Sequence, residues 1–154
     1  MAFENSAGIG TRTNYGVRKI NEKFGGKQAH SVTQYVEVVF DYDDLPTAGS
    51  EMEALIPANS LIKSAYLEVI TPFAGGTSYN IGLAQTNGTA INASGLFSAI
   101  ATASLTPVGK WNAGAGALVG AGIGANPGVI TVAATGTFTA GKARLVVEYI
   151  PGTV

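Results

Sequence analysis

Residues 31–42, SVTQYVEVVFDY, place Val32, Val36, Val38, Phe40 and Tyr42 on one parity and Thr33, Glu37 and Asp41 on the other. Successive side chains of an extended chain point to opposite faces, so this period of two predicts a strand with one face on a core. The other end of the chain obeys the same rule. In KARLVVEYI, Ala143, Leu145, Val147 and Tyr149 are expected inward, with Arg144 and Glu148 outward. SLIKSAYLEVITPF predicts another long strand with Leu61, Ala65, Leu67 and Val69 on one face, and Lys63 as the exception near its start. The long first and last strands are expected to pair in the middle of a sheet.

Between these segments the chain is cut by turn signals. DDLPTAGSEMEALIPANS is a loop with turn residues at Pro46, Gly49, Pro57 and Asn59. TSYNIGLAQ and TAINA predict a hairpin whose turn is TNGT, because Asn-Gly readily adopts the backbone of a two-residue hairpin turn. NASGLFSAIATASL is the helix candidate, with Leu96, Phe97 and Ile100 on a face and Asn92 or Ser94 as cap. VGKWNAGAGALVGAGIGANPGV sets two apolar islands in glycine, with room for one or two short strands, and VITVAATGTFT is again a strand. Roughly seven or eight strands with turns every 8 to 12 residues predict an all-β fold, an antiparallel β-sandwich with jelly-roll-like character and one short helix.

The first thirty residues differ. GTRTNYGVRKINEKFGGKQAH has no sustained period and is broken by glycine, so residues 1–30 are expected to be an extended N-terminal docking arm and residues 31–154 the sandwich domain. The net charge of −1 hides a division along the chain. Arg12, Arg18, Lys19, Lys23 and Lys27 against Glu4 and Glu22 make residues 1–30 net +3. Residues 31–53 hold Glu37, Asp41, Asp43, Asp44, Glu51 and Glu53 and no base, a net of −6. Between Glu68 and Lys142 the one charge is Lys110. Charged residues make up 12% of the chain, about half the usual share. So little charge invites cover by a partner, since charge keeps surfaces apart in solution.

With 46% apolar residues the chain has material for a core. It contains no cysteine, which excludes disulfides, thiolate metal sites and cysteine nucleophiles. MAFENSAGIG lacks the apolar core of a signal peptide, and no uninterrupted apolar run is long enough for a membrane helix. These features read as a soluble product made in the cytoplasm, with no membrane partner.

No catalytic constellation is present, and the chain is expected not to be an enzyme and to need no cofactor. His30, the only histidine, lies at the boundary of the arm, where nothing orients it as a base. One histidine without cysteine cannot supply a zinc site. Asp41, Asp43 and Asp44, with Glu51 and Glu53, offer oxygens, but not at the spacing of a calcium loop. A solvated loop, or a landing place for a neighbour's basic arm, are the other readings of this cluster. GAGALVGAGIGANPG matches neither phosphate-loop spacing and reads as a flexible connection. Five bases over sixteen residues, in a chain of pI 5.7, make a thin footprint for nucleic acid. Docking on a protein surface fits the arm better.

The segment IPANSLIKSAYLEVITPFAGGTSYNIGLAQTNGTAINASGLFSAIATASLTPVGKW resembles the core of small structural proteins of tailed-phage heads. There an IPA.S.I..A.L.V strand is followed by IGL...NGT.I.A.GL..AIA...L, and GTFTAGKARLVVEYI is similar to their closing strand. The likeness spans residues 55–150 and its motifs are structural. It implies a head decoration (cement) protein with a jelly-roll-like sandwich, a homotrimer on the outer surface of the head that bridges major capsid proteins. On that reading Tyr15, Ile20 and Phe24 are apolar anchors of a capsid-binding arm, and Arg12, Arg18 and Lys19 steer it. Phe97 and Trp111 are then the expected oligomer interface. Other readings are a tail, neck or fibre-base protein, or a carbohydrate-binding sandwich.

Overall fold

The computed structural model describes residues 33–47 and 55–152. They form the strands β1 (Gln34–Asp41), β2 (Leu55–Ile56), β3 (Leu61–Gly75), β4 (Ser78–Ala84), β5 (Ala90–Ala101), β6 (Trp111–Ala113), β7 (Gly128–Thr135) and β8 (Phe138–Ile150). Two four-stranded sheets result, sheet A in the order β1-β8-β3-β6 and sheet B in the order β2-β7-β4-β5. Every pairing is antiparallel. The pairs β4–β5, β3–β6, β2–β7 and β1–β8 nest inside one another, so the chain is one long hairpin rolled until its two layers face each other. This is an antiparallel, jelly-roll-like β-sandwich.

The innermost turn of that roll holds the Asn-Gly pair expected from sequence, but within a three-residue loop, Thr86, Asn87 and Gly88, and not as a two-residue turn, since only Gly88 of the pair takes positive φ. Gly88 takes φ +92°, a region open to glycine at little cost. The Gln85 carbonyl accepts from the Gly88 N–H at 2.9 Å, and the Thr89 carbonyl accepts from the Gln85 N–H at 2.8 Å. Inward positions alternate along β8 as expected, with Ala143, Leu145 and Val147 fully buried and Tyr149 nearly so. They pack with Val36 and Phe40 of β1 and with Ala65, Leu67, Val69 and Phe73 of β3 against Ile81, Leu83, Ile130 and Val132 of sheet B.

Three expectations are corrected. Leu61 is exposed and Ile62 is buried, because β3 shifts register between Ile62 and Ser64. That bulge changes which parity faces the core, so Lys63 stays in water while Ala65 points in. The helix expected within residues 92–105 is strand β5 as far as Ala101, followed by a single 3-10 turn, Thr102–Leu105. Its helix-like apolar spacing arises because β5 bulges. Residues Ile81 and Leu83 of β4 stand opposite Phe97 and Asn92, so extra β5 residues bow out and consecutive Leu96 and Phe97 both turn inward. Finally, β1 and β8 do pair, but β1 is the edge strand of sheet A and only β8 is internal.

The glycine-rich segment after β6 is a seam between the sheets. Gly114 donates to Ala65 of β3, while Gly116 and Leu118 donate to Leu96 and Gly95 of β5, all at 2.7–3.0 Å. Further on, Gly120 donates to Ile62 and Ile123 donates to Ser60. A side chain on Gly116 would collide with the backbone of Ser94 and Gly95, so backbone lies on backbone here.

Candidate functional site

Sheet B contains no charged residue in any of its four strands. The outer face of sheet A is different in kind. Outward parity on β1 brings up Tyr35, Glu37, Val39 and Asp41; on β8, Lys142, Arg144, Val146 and Glu148; on β3, Ser64, Tyr66, Glu68 and Ile70. The register aligns them in rows across the strands. Tyr35 stands beside Glu148 and then Ser64; Glu37 beside Val146, Tyr66 and Ala113; Val39 beside Arg144, Glu68 and Trp111.

Arg144 occupies the centre of this face. Its Nη2 lies 2.6 Å from Glu68 Oε2 and its Nε donates to the same oxygen at 2.8 Å, so two guanidinium nitrogens converge on one carboxylate oxygen. A longer contact at 3.9 Å reaches Glu37. The guanidinium carbon lies 5.3 Å from the Trp111 ring centroid, within range for attraction between a cation and the ring. To either side, Lys142 donates to Asp41 at 3.4 Å, Lys63 lies 3.9 Å from Glu148, and the Ser64 hydroxyl donates to Glu148 at 2.8 Å. Each ion on the face therefore has an opposite partner on the same face. Such exposed pairs stabilise the fold by only about 0–1 kcal/mol each. Their consequence for binding is larger, because a partner covering the face meets charges that are already neutralised and need not supply its own.

Among these ions stand large exposed apolar groups: Tyr35 at 67%, Trp111 at 46%, Tyr66 at 40%, with Val39 and Ile70 comparable. Aromatic side chains and arginine dominate the energetic centres of protein interfaces, because each brings large rigid area with a polar end. The outer face of sheet A is a surface of that composition.

Trp111 belongs to it. Phe97, the other residue expected at an oligomer interface, is 4% exposed and packed in the core, so its ring is closed to a partner. Arg12, Tyr15, Arg18, Lys19, Ile20, Phe24 and His30 lie outside the described residues, as do Glu51 and Glu53. Of the acidic cluster, Asp41 is held by Lys142, while Asp43 and Asp44 are exposed at the turn that follows. Among the described residues there is no group of three or more metal-ligating side chains, and no helix is long and apolar enough to cross a membrane. The glycine-rich segment commits its N–H groups at 114, 116, 118–121 and 123 to protein carbonyls, which removes those donors from any phosphate. Sequence reasoning overlooked Tyr35, Val39, Tyr66 and Ile70. Their signal was present: apolar residues on the parity that also carries Glu37, Asp41 and Glu68.

No protein-family model matches the sequence, and no curated protein matches it. Among solved structures, a chain of the structure titled "Cyanophage Pam1 capsid asymmetric unit" is similar, with a TM-score of 0.53 at 16% identity over 88% of this chain and 99% of that one. That likeness is one of fold. A chain of "Capsid of Ralstonia phage GP4" aligns with a TM-score of 0.47 at 20% identity over 79% of this chain and 86% of that one.

Proposed function

We propose that this chain is a non-catalytic structural protein of a tailed-phage virion that decorates the outer surface of the head and strengthens the shell by bridging neighbouring subunits. The observation that carries the proposal is the outer face of sheet A, where Trp111, Tyr66, Tyr35 and Arg144 stand among internally paired ions. That composition suits burial against protein. It suits a sugar less well, since Arg144 lies close to the Trp111 ring and the carboxylates already hold partners. The sandwich shared with a chain titled as part of a phage capsid supports the same reading.

In this reading the sandwich rests by its sheet A face on the major capsid protein, as a homotrimer, and residues 1–30 reach out to a neighbouring subunit. Tyr15, Ile20 and Phe24 anchor the arm, and Arg12, Arg18 and Lys19 set its approach. Stable interfaces of this kind bury about 1,200–2,000 Å². A sheet face and an extended arm together reach that range.

Co-sedimentation with purified phage heads tests the proposal. The full chain should pellet in many copies per head. Trp111→Glu, an exposed change in a three-residue edge strand, should reduce binding at least about tenfold while the fold stays intact, as expected for loss of an interface centre. A well-folded full chain that never pellets with heads would sink the decoration reading, and a few copies at a single vertex would move it to the neck or tail.

A further inference from the structure

We propose that the open edge of β1 takes residues 15–20 of a second copy of this chain as an added antiparallel strand. The inference rests on the reading that residues 1–30 are a docking arm, and it names the subunit the arm reaches.

Three observations point there. First, β1 is an eight-residue edge strand, and among the described residues its outer side is met only at its last residue, where Asp44 bridges back to Asp41; Gln34–Phe40 stay open there. It carries no proline, while Tyr35 and Val39 on it are exposed. An edge of this length and composition is a template for another strand. Second, the charges are complementary: Glu37 holds Arg144 only at 3.9 Å, and Asp43 is exposed just past the strand end. The arm is net +3, against a net of −4 for the rest of the chain. Third, one register satisfies both faces. With Gly16 opposite Val39, Arg18 stands opposite Glu37 and Ile20 opposite Tyr35 on the outer face, and the added strand stops short of Asp41, which Asp44 already meets. On the core side Tyr15 meets Phe40 and Val17 meets Val38. Lys19 opposite Val36 is the exception, near the end of the strand, where its stem can run out to water. A slip of one residue would turn Arg18 onto the core side.

The source is a second copy rather than the same chain. Fold-back would leave residues 21–34 as a fourteen-residue connection, against the usual ~2–5 residues of a hairpin. Extended, residues 21–32 between that segment and Thr33 span up to roughly 40 Å, enough to reach an adjoining copy. Giving one strand and receiving another is a head-to-tail contact, which forms a ring such as a trimer when the rotation between copies closes, and a filament when it does not.

The absence of native cysteine makes disulfide trapping clean. Full-length Gly16→Cys and Val39→Cys chains are mixed and mildly oxidised, with Gly16→Cys plus Thr135→Cys as the out-of-register control. A Cα separation of about 4.5–5.5 Å between facing residues permits the bond. The expected result is a two-chain product from the mixture and none from the control. Arg18→Glu or Glu37→Arg alone should cut the yield about tenfold, and the two swaps together should restore it. Cross-linking confined to a chain bearing both cysteines, or no product above the control, overturns the inference. The same chains are then sedimented with heads. Pelleting without the cross-link leaves decoration standing and this inference refuted; the cross-link without pelleting does the reverse.

Discussion

Tyr79 is fully buried among Phe40, Phe73 and Phe138, stacked on Phe138 at a centroid distance of 4.2 Å, and its hydroxyl has no hydrogen-bond partner among the described residues. A buried polar group left unpaired costs about 1–3 kcal/mol. Tyr79→Phe should therefore keep the ring packing and leave the urea midpoint unchanged or raise it. Burial also pushes the Tyr79 phenol up to about 12. Below about pH 10 both folded and unfolded chains keep the proton, so nothing changes. Above it the unfolded chain ionises first, and stability falls by up to about 1.4 kcal/mol per pH unit until the folded group also titrates. Urea titrations of wild type and Tyr79→Phe at rising alkaline pH should diverge accordingly; parallel slopes would show that the phenol is not buried as described. Ala99 is the second residue with a local cost, at φ +48° with its N–H donating to the Asn80 side chain at 2.7 Å. Ala99→Gly should gain about 0.5–1 kcal/mol in thermal unfolding, because glycine adopts that backbone without the Cβ clash.

At the scale of elements, apolar spacing misleads wherever a strand is irregular. Leu96, Phe97 and Ile100 look like a helical stripe, yet they lie on a strand whose bulges break the alternation. Regular strands were legible for the opposite reason: in β8 the core lies on one side along the whole length, so the period of two is uninterrupted. The seam at residues 114–123 was legible only as a flexible connection, because backbone lying on backbone leaves no side-chain pattern beyond glycine itself. Gly116→Ala should push that seam off β5 and lower stability by about 1–3 kcal/mol, the usual cost of forcing atoms into a packed site. A native-like melting temperature for this variant would mean that the seam is not held against Gly95.

For the whole molecule, the division of charge decides which surface associates. Sheet A holds seven ions, Glu37, Asp41, Lys63, Glu68, Lys142, Arg144 and Glu148, each paired there, while the strands of sheet B hold none. The low overall charge had suggested a covered surface; the structure shows that large exposed aromatic groups sit on the charged sheet and not on the uncharged one. Light scattering of the full chain at micromolar concentration should report a trimer, and Trp111→Glu should leave it a trimer, because that face rests on the shell. A shift to monomer would place the face between copies instead.

The sequence by itself determined the all-β class, the Asn-Gly turn at the centre of the roll, and the inward residues of β1 and β8, since alternation and turn chemistry are local properties of the chain. The bulges in β3 and β5, the edge position of β1, and the assembly of Tyr35, Tyr66, Trp111 and Arg144 on one face were decided by tertiary structure. Each depends on which strands become neighbours and in what register, and pairing distant segments such as β1 and β8 is settled only when the two layers close over a common core.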